Sequence, residues 1–177
     1  TPQGILALAK QYHYGLKDLL SQSGAAHFIV LERLQDPGNL GTILRAGEAA
    51  GITGVIMDSQ TADIYNPKVI RSTMGAVFRV PFVYVEDLKA ALSQLKDHGV
   101  HLYAAHLKGQ NPYDQEDYTE STGFLIGNEA QGLSDEIASL ADTYVKIPMA
   151  GSVESLNAAI ASSVLMFEVA RQRRNQK

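Results

Sequence analysis

The sequence contains no cysteine among its 177 residues. Disulfide bonds and cysteine-ligated zinc are therefore excluded, and the composition fits the reducing cytoplasm in which we expect the protein to work. No apolar run approaches the roughly 20 residues of a membrane-crossing helix, so we expect no membrane contact. An excess of positive charge is also missing, since the net charge is −4. Nucleic acid would have to be bound by local basic groups, a dimer surface or residues outside the chain.

Two common nucleotide-binding motifs are absent as well. The turn after the first predicted strand reads Gln35-Asp-Pro-Gly-Asn39 where a dinucleotide-binding fold would carry Gly-x-Gly-x-x-Gly. No Walker lysine loop occurs either, so dinucleotide and P-loop nucleotide binding are both disfavoured. The five histidines lack the spacing of metal ligands, and we expect no metal site; they are His13, His27, His98, His101 and His106.

What is present is a regular alternation of apolar runs and amphipathic segments, and 45% of the residues are hydrophobic. This alternation predicts one α/β domain with a parallel, doubly wound sheet. The predicted strands are 27–31, 54–57, 79–84, 101–105, 122–126 and 143–147. The predicted helices are 40–50, 67–75, 86–98, 133–140 and 154–173. Asn39 is placed to cap the first helix and Gly51 to end it, whereas 111–121 reads as a polar surface excursion.

Three polar blocks stand where predicted strands give way to helices. The first, Asp36 to Arg45, reads Asp-Pro-Gly-Asn-Leu-Gly-Thr-Ile-Leu-Arg. The second, Phe124 to Leu133, and the third, Ile147 to Asn157, begin apolar and then break into glycine, amide, carboxylate and hydroxyl residues. Open α/β sheets bind small ligands where strands end and helices begin. The blocks therefore predict a ligand site built mainly by the last third of the chain.

In their order, these blocks resemble the three motifs of the SpoU/TrmH family, RNA ribose 2′-O-methyltransferases of the SPOUT class. The resemblance covers roughly residues 27 to 173. It implies an α/β parallel-sheet SPOUT fold with a C-terminal trefoil knot, and S-adenosylmethionine as the methyl donor. General connection rules would predict an unknotted sheet, so the knot is expected on the resemblance alone.

The start of the chain also resembles this family. Pro2 to Ile5 reads Pro-Gln-Gly-Ile, which in many relatives follows a small N-terminal RNA-binding domain. The resemblance therefore implies that residues 1–25 are a linker or extension from such a domain. Residues 26–177 would form the methyltransferase domain.

The resemblance also implies which residues contact the cofactor: Ala105, Gly127, Ile147, Met149 and Leu156. Taken alone, Gly127 also fits an ordinary strand-to-helix turn with Ser134 as the cap, although a glycine there would let backbone approach a ligand. Met149 alone fits core packing at a strand end.

Five residues are implied to be catalytic: Arg45, Asn39, Glu129, Ser155 and Asn157. Asn39 would serve both as helix cap and as site residue, and Glu129 would help to hold the arginine. Ser152 or Ser155 can alternatively cap the last helix. Asn157 is a poor residue for a helix interior, which favours a place in a site.

Arg45 carries the implied chemistry, an in-line attack of a ribose 2′-oxygen on a sulfonium methyl. The hydroxyl is weakly acidic and needs deprotonation or polarisation. A guanidinium stays protonated, so we expect Arg45 to hold the ribose and its phosphate while a phosphate oxygen or water takes the proton. The alternative is an exposed helix arginine paired with Glu48 or Glu129.

We therefore expect a methyltransferase acting on structured RNA, with ribosomal RNA as the first choice and transfer RNA as the second. The resemblance implies a homodimer that pairs through the first and last helices. Lys68, Arg71 and Arg79 fit either phosphate contacts or plain surface charge. Two rival functions stay open: a non-enzymatic RNA-binding or ribosome-assembly module with a relic pocket, and a generic nucleotide-binding domain.

Overall fold

The computed structural model describes Gly4, Leu8 and residues 10–107, 109 and 111–176. Within this part of the chain, seven strands form one sheet in the order β3-β2-β1-β6-β4-β7-β5, and every pairing is parallel. The strands are β1 His27–Leu31, β2 Gly54–Asp58, β3 Phe82–Val85, β4 His101–Ala105, β5 Asn111–Pro112, β6 Thr122–Ile126 and β7 Thr143–Lys146. The helices are α1 Leu16–Leu20, α2 Pro37–Ala50, α3 Pro67–Thr73, α4 Leu88–Asp97, α5 Asp135–Ala138 and α6 Ala158–Arg174.

Helices cover both faces of the sheet. In β1, Ile29 and Leu31 pack into the core shared with α2, α3 and α6, whereas Phe28 and Val30 pack into the core shared with α1, α4 and α5. This alternation follows from the two-residue period of a strand, and burial on both faces explains why β1 is apolar throughout. The predicted parallel, doubly wound sheet is thus confirmed. No helix in the described ranges is long and apolar enough to cross a membrane.

Residues before β1 also contact the domain. Leu19 of α1 is only 1% exposed and packs beneath the sheet, and the Tyr12 backbone N–H donates to the Tyr65 hydroxyl at 2.9 Å. The Pro2–Ile5 segment lies, except for Gly4, outside the described residues.

Helix α2 begins earlier than predicted. Its cap is Asp36, whose carboxylate accepts the Asn39 backbone N–H at 2.7 Å, and Pro37 occupies the first helical position, which proline favours. Asn39 therefore lies inside the first turn, and the prediction that it caps the helix is wrong. Its side chain is left available for contacts outside the helix. The predicted end is confirmed, because Gly51 adopts the left-handed conformation with φ 75°.

Two other boundaries differ from the prediction. Strand β3 starts at Phe82 rather than at residue 79, because a 3₁₀ turn at Ala76–Phe78 occupies the preceding residues. The predicted surface excursion contains the short strand β5, and Tyr118 within it is fully buried and donates its hydroxyl to the Tyr113 carbonyl at 2.6 Å. Because most residues of this segment are polar, its composition did not indicate that Tyr118 is buried.

The end of α6 is fastened to the amino-terminal edge of the sheet. The Arg173 guanidinium donates to the backbone carbonyls of Ala25, Ala26, Tyr118 and Glu120 at 2.7–3.1 Å. This arginine therefore crosslinks the chain segments that lead into β1 and β6. Beside it, His27 is 1% exposed and its Nε2 has no hydrogen-bond partner.

This burial makes a prediction about acid stability. Burial of the His27 ring, with a smaller effect of the Arg173 charge, lowers its pKa from 6.5 to about 3. The unfolded chain therefore takes up a proton more readily than the folded chain. The resulting stability is complete above pH 6.5 and is lost as the pH falls towards the folded pKa.

We expect His27 to account for a loss of about 2–3 kcal/mol in the free energy of unfolding from about pH 6.5 to about pH 4.5. His27→Leu removes the titration and should flatten this part of the profile, as measured by urea denaturation at a series of pH values. His13→Leu, at an exposed histidine, is the matched control. An undiminished acid slope in His27→Leu would contradict the assignment.

Candidate functional site

A cavity with a volume of about 390 Å³ lies beyond the carboxyl ends of β4, β6 and β7. It is lined by residues of the segments 105–107, 126–133 and 145–149, by residues 154–156 before α6, and by residues in the first half of α6. All five residues predicted to contact a cofactor line it: Ala105, Gly127, Ile147, Met149 and Leu156. Glu129 and Ser155 also line it. The sheet therefore gathers residues from the second and third blocks around one space.

Gly127 is required by the packing of the turn that follows β6. A Cβ at this position would lie 2.1 Å from the Gly132 carbonyl carbon and the Leu133 nitrogen, closer than atoms can approach. The turn is closed by two backbone hydrogen bonds between Asn128 and Gly132, at 2.8 and 3.1 Å. Any side chain at residue 127 would therefore push apart the wall of the cavity.

A chain of side-chain hydrogen bonds connects the three blocks. Glu129 Oε1 accepts from Asn39 Nδ2 at 3.0 Å, and Asn39 Oδ1 accepts from Asn157 Nδ2 at 2.9 Å. These contacts span 90 and 118 positions of sequence. Asn39 can serve both partners because its amide carries a donor and an acceptor. Three of the five residues predicted to be catalytic are therefore in direct contact.

Glu129 also holds the loop that leads into α2. Its carboxylate accepts the backbone N–H groups of Gln35 at 3.1 Å and Asp36 at 2.9 Å. Partial burial alone would raise the pKa of Glu129, but the hydrogen bonds from Asn39, Asp36 and Gln35 outweigh it and lower the pKa. Glu129 is therefore a fixed negative charge at neutral pH, at the border between the cavity and the first block.

Asn157 is the cap of α6. Its Oδ1 accepts the backbone N–H groups of Ala159 at 2.9 Å and Ile160 at 3.3 Å. The predicted helix start at residue 154 is wrong, as is the suggestion that Ser152 or Ser155 caps the helix. Residues 153–157 form no regular secondary structure and instead supply the cavity with Glu154, Ser155 and Leu156. One side chain thus starts the helix and also bonds Asn39.

Arg45 is exposed on α2 and does not line the cavity of its own subunit. It lies six residues after Asn39, which places it about 9 Å along the helix axis. Glu48 is paired with Arg79 and Glu129 with Asn39, so neither forms the predicted alternative pair with Arg45. No hydrogen bond or ion pair of Arg45 occurs within the described ranges.

The other basic candidates differ among themselves. Lys68 and Arg71 are exposed on α3 with no side-chain partner in the described part of the chain, whereas Arg79 pairs with Glu48. The described residues contain no group of histidine, aspartate and glutamate that could hold a metal ion.

Sequence reasoning missed Glu32, a buried carboxylate directly after β1 that bonds Ser134 beyond the second block. The sequence did carry a signal for this residue, since Glu32 directly follows an apolar strand. A carboxylate that is buried at such a position needs a hydrogen-bond partner.

Comparison with known proteins gives consistent matches over most of the chain. The model described as the SpoU rRNA Methylase family matches residues 26–167. The chain is 35% identical over 176 residues to a Staphylococcus aureus (strain MSSA476) protein named as a TrmH family tRNA/rRNA methyltransferase. That match covers 97% of this chain and 71% of the relative.

Solved structures agree. The SpoU methyltransferase AviRb from Streptomyces viridochromogenes is similar with a TM-score of 0.85 and 34% identity, covering 91% of this chain and 65% of that chain. A further structure of AviRb contains the cofactor AdoMet. An RNA 2′-O ribose methyltransferase matches with a TM-score of 0.79 and 29% identity, covering 98% of this chain and 62% of that chain. The chain thus spans under two thirds of either solved protein. The predicted fold class is confirmed, whereas the knot stays a prediction.

The double role of Asn157 gives a prediction that separates its two contacts. Asn157→Ala should lower the free energy of unfolding by about 1 kcal/mol or more, because helix α6 loses its cap. Asn157→Ser keeps a capping oxygen but lacks the amide Nδ2 that donates to Asn39, so it should recover most of that loss. Urea denaturation of both variants measures the difference. Equal stability of Asn157→Ala and the wild type would contradict the capping role.

Proposed function

The chain belongs to the SpoU rRNA Methylase family, and on that premise we propose that it transfers a methyl group from S-adenosylmethionine to a ribose 2′-hydroxyl in RNA. Ribosomal RNA is the first-choice substrate and transfer RNA the second. The family description supports the former, and the name of the Staphylococcus aureus relative includes both. The solved RNA 2′-O ribose methyltransferase supports the ribose as the acceptor.

The cavity suits S-adenosylmethionine in size and chemistry. Its volume of about 390 Å³ falls in the range of small-ligand sites, roughly 300–1,000 Å³. Ile147, Met149 and Leu156 give it apolar surfaces for an adenine ring, while the turns around Gly127 and residues 147–149 bring backbone polar groups to its edge. The AdoMet complex of AviRb supports the same cofactor here. The sulfonium group also carries a positive charge, which the fixed charge of Glu129 at the border would favour.

The observation that most supports the proposal is the contact chain Glu129–Asn39–Asn157. It joins the block that walls the cavity to the block that carries Arg45. A relic pocket would have no need to keep a donor and acceptor matched across three distant segments. We therefore favour an enzyme over a non-enzymatic RNA-binding module.

In the proposed reaction, the ribose 2′-oxygen forms a bond to the methyl carbon as the carbon–sulfur bond breaks, and the hydroxyl proton is lost to a phosphate oxygen or water. Arg45 stays charged and holds the ribose and its phosphate in line. Asn39, Glu129, Ser155 and Asn157 form the part of the site at the cofactor cavity, which Arg45 would reach from a second subunit. Lys68 and Arg71 are free to contact further phosphates, which would add affinity rather than sequence choice.

We propose further that the protein works as a homodimer. On α6, Ile160 is 50% exposed and Phe167 is 49% exposed, and they lie seven residues apart on one side of the helix. Helix α6 packs beside α2, whose outer side carries Arg45. A second copy on this layer would cover both apolar side chains and bring its site next to Arg45.

Two expectations about context belong to the same proposal. Residues 1–25 would connect an RNA-binding domain to the methyltransferase domain of residues 26–177. The cytoplasm, where RNA and S-adenosylmethionine are both available, would be the place of action.

Isothermal titration calorimetry with S-adenosylmethionine tests the cofactor, and methylation of defined ribosomal and transfer RNAs, mapped by ribose-methylation-sensitive sequencing, tests the substrate. Absence of cofactor binding would favour the RNA-binding module. Preference for ATP or a nicotinamide cofactor would favour a generic nucleotide-binding domain.

The mechanism makes a prediction for Arg45. Arg45→Ala should abolish methyl transfer while the affinity for S-adenosylmethionine stays within about threefold, because the guanidinium does not line the cavity. Single-turnover methylation and calorimetry measure the two quantities. Lys17→Ala, which removes an exposed charge on α1, is the control that should retain activity. Retained turnover in Arg45→Ala would remove this residue from its proposed role.

The dimer gives a separate prediction. Phe167→Glu should convert dimer to monomer, since a charge buried against an apolar partner surface is costly. Light scattering coupled to size-exclusion chromatography reads the mass. Gln94→Glu adds the same charge to exposed α4 on the other face of the sheet and should leave the mass unchanged. A wild-type monomer at micromolar concentration would contradict the proposal.

A further inference from the structure

Glu32 is a buried acidic residue that none of the three blocks includes. It follows β1 directly, is 7% exposed, and its backbone N–H donates to the Ile126 carbonyl at 2.9 Å, which continues the ladder with β6. Its carboxylate accepts both the backbone N–H of Ser134 at 2.8 Å and the Ser134 hydroxyl at 2.7 Å. Hydrogen bonds to a carboxylate are among the strongest in proteins. Glu32 therefore holds Ser134 through two atoms at once.

Ser134 is the cap of α5 and the end of the cavity wall. Its Oγ accepts the Ile137 backbone N–H at 3.2 Å while donating to Glu32. The hydroxyl uses its single donor and one of its two acceptor lone pairs, so its rotation is restricted. The position of Glu32 thus determines where the wall segment 127–133 ends.

Arg33 holds the other end of the same wall. Its carbonyl accepts from Asn128 Nδ2 at 2.8 Å. Its backbone is left-handed, with φ 52°, which is unfavourable for a residue with a side chain, and the Asp58 carboxylate holds it there by accepting its N–H at 3.0–3.1 Å. The Arg33 guanidinium also pairs with Glu32 at 3.2 Å. The unfavourable backbone conformation of Arg33 is held by several contacts, which indicates that the position of this residue, and of Asn128 bonded to it, is important.

Two consecutive residues therefore fasten the two ends of the turn Asn128–Ser134. Residues 128–133 of this turn line the cavity, and Glu129 lies between the two fastenings. The two contacts of Glu129 with the first block require the turn to stand in one place, because a hydrogen bond weakens steeply with distance and angle.

From this arrangement we propose that Glu32 is a positioning residue of the methyl-transfer site. Through Ser134, Glu32 fixes the position of the turn that forms the cofactor-binding wall. The turn thereby fixes the position of Glu129 and so its hydrogen bond with Asn39. Arg33 acts with Glu32 at the Asn128 end. Neither residue needs to touch cofactor or RNA. The inference rests on the proposed function for its catalytic readout, but the placement of the turn can be measured without it.

The first experiment compares Glu32→Gln with the wild type by hydrogen exchange of the chain without cofactor. Each carboxylate oxygen accepts one donor of Ser134, and glutamine replaces one of these oxygens with an NH2 group. Backbone amides from 128 to 134 should therefore exchange at least about tenfold faster, while those of β4 and β6 stay protected. Glu86→Gln removes the same charge at an exposed position and should change nothing. Unchanged exchange at 128–134 in Glu32→Gln would overturn the proposal.

The second experiment measures cofactor affinity and methyl transfer. S-adenosylmethionine should bind Glu32→Gln about tenfold more weakly or worse, with kcat lowered as well, since Glu129 loses its position. A purely structural residue would lower the melting temperature and leave affinity and kcat of the folded protein unchanged, and that outcome would also overturn the proposal. If Glu32→Gln does not fold, Ser134→Ala carries the test, because it deletes one of the two bonds and should give a smaller change in the same direction. No effect of Ser134→Ala on exchange at 128–134 would then count against the proposal.

The two proposals fail differently. If the wild type does not bind S-adenosylmethionine, the proposed function is wrong, and the exchange experiment still decides whether Glu32 fixes the turn. If the wild type binds and methylates, and Glu32→Gln does both equally well, only the positioning role is wrong.

Discussion

The hydrogen bond between Asn39 and Asn157 is the contact on which the site depends, because it joins the beginning of the domain to its last helix. Each partner is already committed on its other side, Asn39 to Glu129 and Asn157 to the first N–H groups of α6. Helix geometry, cavity wall and the block that carries Arg45 are therefore coupled through two side-chain amides. A carboxylate at either position could not supply both a donor and an acceptor. Positions 39 and 157 therefore require asparagine, because each side chain must donate one hydrogen bond and accept another.

Much of the fold could be predicted from sequence because burial leaves a strong local pattern. Strands β1, β4 and β6 were predicted with their observed limits, since each is a short apolar run between polar breaks. Helix starts were predicted less well. Asp36 and Asn39 are both good caps, and the proline that follows Asp36 decides between them. Strand β5 has only two residues, which are too few to show the alternating pattern of a strand.

The sequence predicted which residues line the site, but it did not predict the hydrogen bonds between them. The five residues expected to contact cofactor line one cavity because a parallel sheet brings the ends of its strands to one edge. The pairing of residues 90 to 118 positions apart leaves no local trace in the sequence. Glu32 stands out at the end of an apolar strand, but the sequence does not show that its partner is Ser134. Both readings of Gly127 hold together: it lines the cavity, and the turn after β6, which Ser134 follows as the helix cap, requires a glycine there. Arg45 keeps its proposed role although its side chain forms no hydrogen bond or ion pair in the part of the chain that the structure describes.

The clamp of Arg173 on carbonyls near residues 25 and 119 has a consequence for how the molecule reaches its native state. Its partners are separated from it by up to 148 positions, so the chain entropy of closing very long loops must be overcome before the amino edge of the sheet is sealed. Native structure dominated by such distant contacts forms slowly. On a ribosome, all seven strands would emerge before helix α6, and the amino edge of the sheet would stay open until that helix followed. The methyltransferase domain would thus complete its architecture only after helix α6 has been synthesised.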